Sequence, residues 1–225
     1  MKIIINAGAV AEKKGGASFY IINMVEALVE LKDTHEYVLL CSKRGLPDFE
    51  YLHGKVSIQP VCPDNVFLRL LWEQRIMPFL CLRLGSKVLF SPNYTAPVLK
   101  LGFRSVVTIF DLSFFPLSKL YPYWRRFFKT IIRVSVWSAD HVIAISNHTK
   151  SDILTYVGTG ADRISVVYCG MNSHYLKPIS SDQIQKTRDK FHLTTDYILY
   201  TGFLEPRKNI ERLLRAFASI ANTIN

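Results

Sequence analysis

Short, β-branched apolar runs recur along this chain, each followed by a longer amphipathic stretch, and that alternation limits the folds open to it. Ile3-Ile4-Ile5, Tyr37-Val38-Leu39-Leu40, Val56-Ser57-Ile58, Lys87-Val88-Leu89-Phe90 and Val106-Val107-Thr108-Ile109-Phe110 are runs of this kind. So are Val142-Ile143-Ala144-Ile145, Val166-Val167-Tyr168 and Ile198-Leu199-Tyr200. They are continuous rather than alternating, as strands covered on both faces of a parallel sheet must be. Between them, Ala17, Tyr20, Ile21, Met24, Leu28 and Leu31 share one face of a helix that starts near Gly16. Leu68, Leu71, Trp72, Ile76, Phe79, Leu80 and Leu84 mark a second, which Pro78 must kink or divide. A third spans about Tyr123 to Ser138, and a fourth follows Ser146, a candidate cap. Strand–helix alternation of this sort predicts an α/β fold, a Rossmann-like parallel sheet with helices on both faces.

Length divides the chain. With 225 residues it exceeds a usual single domain and falls short of two full α/β domains. The pattern loosens from Met171 to Asp196, then a fresh strand is expected over Tyr197–Thr201, followed by a tight loop and one more helix. One strand and one helix cannot bury a core. The expected organisation is a first Rossmann-like domain over residues 1–170, a linker over 171–195, and a second, unfinished Rossmann-like domain over 196–225.

Charge and cysteine content narrow the chemistry. The net charge is +10, with eight lysines and arginines against two acids between residues 100 and 150. Four cysteines (Cys41, Cys62, Cys81, Cys169) show no Cys-x-x-Cys spacing, and six histidines show no clustering, so neither a disulfide scaffold nor a metal site is inferred. No apolar run approaches the roughly 20 residues of a membrane span, and the N-terminus turns polar too early for a signal peptide. A cytoplasmic protein, peripheral at the inner membrane face if it meets a membrane, is the expectation. Nucleic acid is a weaker partner, since nothing beyond charge suggests it.

Several segments could carry chemistry. Gly202-Phe203-Leu204-Glu205-Pro206-Arg207-Lys208 joins the expected strand to the last helix, where a glycine turn and free helix N–H groups receive an anion. Arg207 and Lys208 oppose the helix dipole unless an anion sits there, yet a solvated turn with Glu205 beside Arg207 reads equally well. Gly15-Gly16, before the first helix, offers a second phosphate-receiving turn or a plain flexible loop. It is neither a dinucleotide fingerprint nor a Walker loop. Asp111, Asn93 and Tyr94 follow strands at the carboxyl edge, where open α/β sheets hold ligands, and each has an ordinary loop reading. Arg125, Lys129 and Arg133 form an i, i+4, i+8 stripe beside Trp124, Arg126, Phe127 and Phe128, suited to an anionic membrane or to the solvated back of a core helix.

These stretches together resemble the retaining glycosyltransferases of family 4, enzymes of two facing Rossmann-like domains (the GT-B architecture). The resemblance runs through Gly15-Gly16-Ala17, Leu70-Leu71-Trp72-Glu73-Gln74, Ser91-Pro92-Asn93-Tyr94-Thr95-Ala96-Pro97 and Val107–Phe114. It continues through Ala139–Ser146, Arg163–Gly170 and Tyr200–Asn209. It implies a nucleotide-diphosphate sugar donor, a glycan or lipid-linked acceptor, retention of configuration, and neither metal nor other cofactor. It places Arg207 and Lys208, with Gly202 and Glu205, on the donor diphosphate, and Gly15-Gly16 opposite it. Asn93, Tyr94 and Ser146 fall on the acceptor side, and Asp111 in the catalytic region. Phe110 stands where the family often has a histidine that contacts the reacting sugar. Cys169-Gly170-Met171-Asn172 stands where the family usually has Asn-Gly-x-Asp, losing a carboxylate, and the family's later Glu-x7-Glu pair lies outside this sequence. The 225 residues alone are therefore expected to turn over no nucleotide sugar. The alternative is a non-catalytic module that docks on an anionic membrane or a partner subunit.

Overall fold

A computed structural model describes residues 1–10, 14–31, 33–116, 124–171 and 173–221, excluding the side chains of Trp124, Arg125, Arg126, Ser173, His174 and Arg207. The chain divides into two compact units, Met1–Gly170 and Met171–Asn225.

The first unit is a parallel sheet of seven strands in the order β3-β2-β1-β4-β5-β6-β7. The strands are β1 (Lys2–Asn6), β2 (Glu36–Ser42), β3 (Ser57–Cys62), β4 (Val88–Ser91), β5 (Arg104–Ile109), β6 (His141–Ala144) and β7 (Ile164–Val166). The helices that cross between them are α1 (Gly16–Glu30), α2 (Val66–Arg75), α3 (Met77–Arg83), α4 (Trp124–Ser138) and α5 (Asn147–Tyr156). The expected last strand of this unit shifts by two residues, because Val166 pairs with Ala144 and Val167 and Tyr168 run beyond the ladder.

Alternate strand residues feed two cores. Ile5, Leu39 and Cys41 pack with Ile21 and Val25 of α1 on one face. Ile4, Val38, Leu40 and Leu89 pack with Trp72, Met77 and Cys81 of α2 and α3 on the other. Neighbouring Ile4 and Ile5 are both fully buried, which is why the strand shows no polar alternation. Toward β7, Val107, Ile109, Val142 and Ala144 meet Ile132 and Val136 of α4 and Ile153 of α5.

Local chemistry sets the helix limits. Asn65 caps α2 by accepting from the Phe67 and Leu68 N–H groups. The break at Ile76 separates α2 from α3, with Pro78 in the first turn of α3, where its missing donor costs nothing. Ser146 caps α5, accepting from the Thr149 N–H at 3.0 Å.

The second unit carries α6 (Ser181–Lys190), closed by a Ser180–Gln183 capping box, and α7 (Ile210–Ile220). The strand expected over Tyr197–Thr201 does not form: these residues have no regular structure, and Ile198 and Leu199 stand exposed. A parallel strand needs a neighbour for its N–H and C=O groups, and no strand of this unit offers one among the described residues. No described residue of the second unit is buried.

Asp140 gives the first unit an acid-sensitive joint. Its carboxylate accepts from the Ser105 N–H at 2.8 Å, Lys100 Nζ at 3.0 Å and Arg104 at 3.2 Å, tying the start of β6 to the start of β5. Burial works against its charge, but these donors outweigh it and hold the carboxyl below the usual aspartate range. A group depressed on folding contributes stability above its unfolded pKa and loses it as the pH falls through the folded value. Asp140→Asn is expected to cost about 1 kcal/mol at pH 7. The deficit relative to the parent should shrink in thermal melts as the pH is taken below the aspartate range.

Candidate active site

The winding of the sheet reverses between β1 and β4, and the crevice outside their carboxyl ends is where this topology holds ligands. Its floor is a buried polar cluster centred on Glu73. Asn6, the last residue of β1, donates its Nδ2 to Glu73 Oε1 at 3.2 Å, and Thr95, past the end of β4, donates its hydroxyl to Oε2 at 2.7 Å. Arg69, one turn earlier on α2, lies 3.7 Å from Oε1 and also donates to the Gly8 carbonyl at 3.0 Å. The Gly8 N–H closes the circuit on Asn6 Oδ1 at 3.2 Å. Gly8 can only be glycine here, since a Cβ would stand 2.9 Å from Cys62. Burial pushes the Glu73 carboxyl up, while Thr95, Arg69 and Asn6 pull it down less strongly.

Gln74 extends the clamp. Its Nε2 donates to the Ala96 carbonyl at 3.1 Å and its Oε1 accepts from the Val98 N–H at 3.0 Å. Together Glu73 and Gln74 hold residues 95–98, leaving Tyr94 in the left-handed region at φ 48°. A bulky residue tolerates that conformation only where its surroundings enforce it. The Tyr94 N–H reaches the Thr108 carbonyl at 2.9 Å and its hydroxyl accepts from the Asp111 N–H at 3.3 Å.

The sequence-predicted residues of the first unit are largely brought together here. Tyr94, Phe110 and Asp111 are in contact, and Ser146 joins them through Thr149, whose hydroxyl donates to the Phe110 carbonyl at 2.9 Å. Asn93 sits on the same turn as Tyr94. Phe110 is gripped edge-on by two rings, Tyr20 at 5.0 Å and Tyr94 at 5.4 Å. Asp111 accepts from its own Ser113, at 3.1 Å from the N–H and 2.7 Å from the hydroxyl, which shapes the loop after β5. Tyr20 lies one turn into α1, so its contact with Phe110 brings the Gly15-Gly16 end of that helix to the same edge. That end has no side-chain cap and no acid in its first turn. Lys14 beside it is paired with Asp48 at 2.8 Å.

Of the basic stripe on α4, the side chains of Arg125 and Arg126, with Trp124, lie outside the described residues. Lys129 and Arg133 turn inward: they donate to the Phe115 and Tyr156 carbonyls at 3.1 and 3.2 Å and stand 5.3 and 5.0 Å from the Phe115 ring centre. In the second unit, Gly202 has φ 147°, a conformation that only glycine adopts readily. Arg207 and Lys208 do not open α7 as the spacing suggested: they fall in a single 3-10 turn, Pro206–Lys208, and left-handed Asn209 separates that turn from the helix. The Arg207 side chain lies outside the described residues.

Asn6, Gly8, Arg69 and Thr95 were missed as site-forming residues. The available signal was Glu73, the only acid in the run from Val66 to Arg83. The buried thiols are poor nucleophile candidates: burial pushes Cys41 up to about 11 and Cys81 up to about 12. Glu73→Ala is expected to cost about 3 kcal/mol in denaturant unfolding, because Asn6, Thr95 and Arg69 lose their shared acceptor. Glu73→Gln, which keeps the shape and an acceptor, should cost about a third of that.

Comparison with known proteins agrees with this picture. The family described as Glycosyltransferase Family 4 matches residues 14–175. O-antigen chain mannosyltransferase B of Escherichia coli is 33% identical over 116 residues, which is 51% of this chain and 30% of that protein. The serotype-specific mannosyltransferase WbdA of Escherichia coli is 31% identical over 81 residues, 36% of this chain and 10% of that one. The chain thus spans well under half the length of these curated relatives. Among solved structures, Anabaena HepE in complex with UDP and glucose superposes with a TM-score of 0.65 at 18% identity, over 97% of this chain and 58% of that one. HepE with UDP-glucose gives 0.59 over 88% of this chain and 51% of that one, also at 18% identity.

Proposed function

The chain belongs to glycosyltransferase family 4, and from that premise we propose that it is the acceptor-side part of an enzyme that transfers a sugar from a nucleotide-diphosphate donor to a glycan or lipid-linked acceptor. The observation that carries the reading is the constellation at the switch point, where Tyr94, Phe110, Asp111 and the α1 terminus surround a crevice floored by Glu73. The mannosyltransferase relatives make a nucleotide-diphosphate mannose the first donor to test. The HepE complexes, which hold UDP and UDP-glucose, support a nucleotide sugar as the class.

In this reading residues 1–170 form the acceptor domain, 171–195 the linker, and 196–225 the beginning of the donor domain. The free N–H groups at Gly15-Gly16 face the donor diphosphate, without a competing cap or acid. Arg207 and Lys208, set on the turn between Gly202 and α7 with Glu205, take the negative charge that grows on the leaving diphosphate. Asn93, Tyr94 and Ser146 line the acceptor side. Asp111 acts through the loop it shapes, and the Phe110 ring presents an apolar surface to the sugar. Configuration is retained, with the leaving phosphate helping to deprotonate the acceptor hydroxyl on the same face, and no metal takes part. The acceptor is met at the inner face of a membrane; of the stripe Trp124, Arg125, Arg126, Lys129 and Arg133 that the sequence suggests as lipid-facing, Lys129 and Arg133 are engaged with Phe115 and Tyr156 instead.

In the full-length enzyme, replacing both Arg207 and Lys208 by alanine is expected to lower kcat by about a hundredfold or more. Mass spectrometry of the glycosylated acceptor, with nucleotide-mannose and other nucleotide sugars as donors, reads the result. Unchanged turnover would remove the diphosphate role, and transfer from none of the donors would remove the enzyme reading. Tyr94→Ala should raise KM for acceptor more than for donor in the same assay, since Tyr94 stands on the acceptor side.

A further inference from the structure

The two helices that carry the Glu73–Gln74 clamp turn an unusual surface outward. Nine residues between Val66 and Arg83 are exposed, and every one is either large and apolar or an arginine: Val66, Phe67, Leu68, Leu71, Ile76, Phe79 and Leu82, with Arg75 and Arg83. Phe67, Leu71 and Phe79 are each about 60% accessible. Glu73, the one acid in this stretch, is turned inward and buried. Beside α2, a groove of about 420 Å³ runs between it and α4, lined by Phe67, Leu71, Val98, Phe127, Ile131 and Val134 among others. Asp64, an exposed acid, lies just before the cap of α2 with Arg44 3.9 Å away. A water-facing surface of a free monomer rarely presents so continuous an apolar patch.

We propose that the outer face of α2 and α3, with the groove against α4, is a docking surface for an anionic lipid bilayer. The charge pattern selects this occupant. The only charged groups exposed along the two helices are arginines, whose long stems let the guanidinium reach phosphate while the leucines and phenylalanines enter the acyl boundary. No helix among the described residues is long and apolar enough to cross a membrane. The surface differs from the α4 stripe read from the sequence, because Lys129 and Arg133 are engaged with Phe115 and Tyr156. It deepens the membrane part of the reading above. Lipid on the outside of α2 places a lipid-linked acceptor next to residues 95–98, which the inside of the same helix holds through Glu73 and Gln74.

Flotation of the 225-residue chain with vesicles of phosphatidylcholine alone, or with 30 mol% phosphatidylglycerol (about a third), tests this without any appeal to activity. The expected result is recovery with the anionic vesicles, weakened by salt. Arg75→Gln with Arg83→Gln should lower partitioning about twenty-five-fold, or roughly fivefold per arginine. Leu71→Glu with Phe79→Glu should abolish it, while Ile184→Glu, at a similarly exposed site of the second unit, leaves it unchanged. Circular dichroism melts establish that each variant is folded, and the arginine pair, being exposed, supplies the result if the glutamate pair is not. Absence of flotation, equal recovery with neutral vesicles, or a dimer in solution that Leu71→Glu with Phe79→Glu dissolves would each overturn the proposal. Sugar transfer to a soluble acceptor by the full-length enzyme, unaffected by these variants, separates this outcome from failure of the enzymatic reading.

Discussion

A doubly wound parallel sheet leaves one place uncovered, the point where its crossovers change direction, and here that point lies between β1 and β4. Strand ends at such a crevice carry backbone groups and loops that no helix shields. Something must hold them in place, and in this chain it is a single carboxylate. Glu73 accepts from Asn6 on one side of the crevice and Thr95 on the other, and Arg69 bridges from the same helix to Gly8. The strained Tyr94, its contact with Phe110 and the position of Asp111 all follow from a loop that this cluster and Gln74 hold.

Helix α2 consequently works on two sides. Inward it presents Leu70 and Trp72 to the core and Glu73 to the crevice; outward it presents Phe67, Leu68 and Leu71. Helices normally set polar groups toward water and apolar ones toward the core. Here the only acid is inside and much of the apolar surface is outside, an inversion that couples the geometry of the loop after β4 to whatever α2 rests upon.

Much of the fold is legible in the residues. Runs such as Val106–Ile109 are strands because both faces are covered, and Ser146 and Pro78 mark helix boundaries through capping and a missing donor. Tyr197–Thr201 has the same strand composition and forms none, because a strand's energy comes from a neighbour that composition does not supply. At the site, Tyr94 and Asp111 were visible from their place after strands. Asp111 proves to shape its own loop through Ser113. The stripe Lys129–Arg133 has the spacing of a solvent-facing row, yet cation–π contact with Phe115 draws it in, and Phe115 lies in the connection before α4, outside the helix whose periodicity sets the stripe.

Family membership, the order of strands and helices, and the residues bordering the crevice were thus written in local pattern, since periodicity, caps and glycine turns act over a few residues. The partners of Glu73, the inward turn of the α4 cations and the outward turn of Leu71 and Phe79 were settled by packing. Each joins groups tens of residues apart, and a buried charge or an exposed apolar face is defined by neighbours that the chain acquires only when it folds.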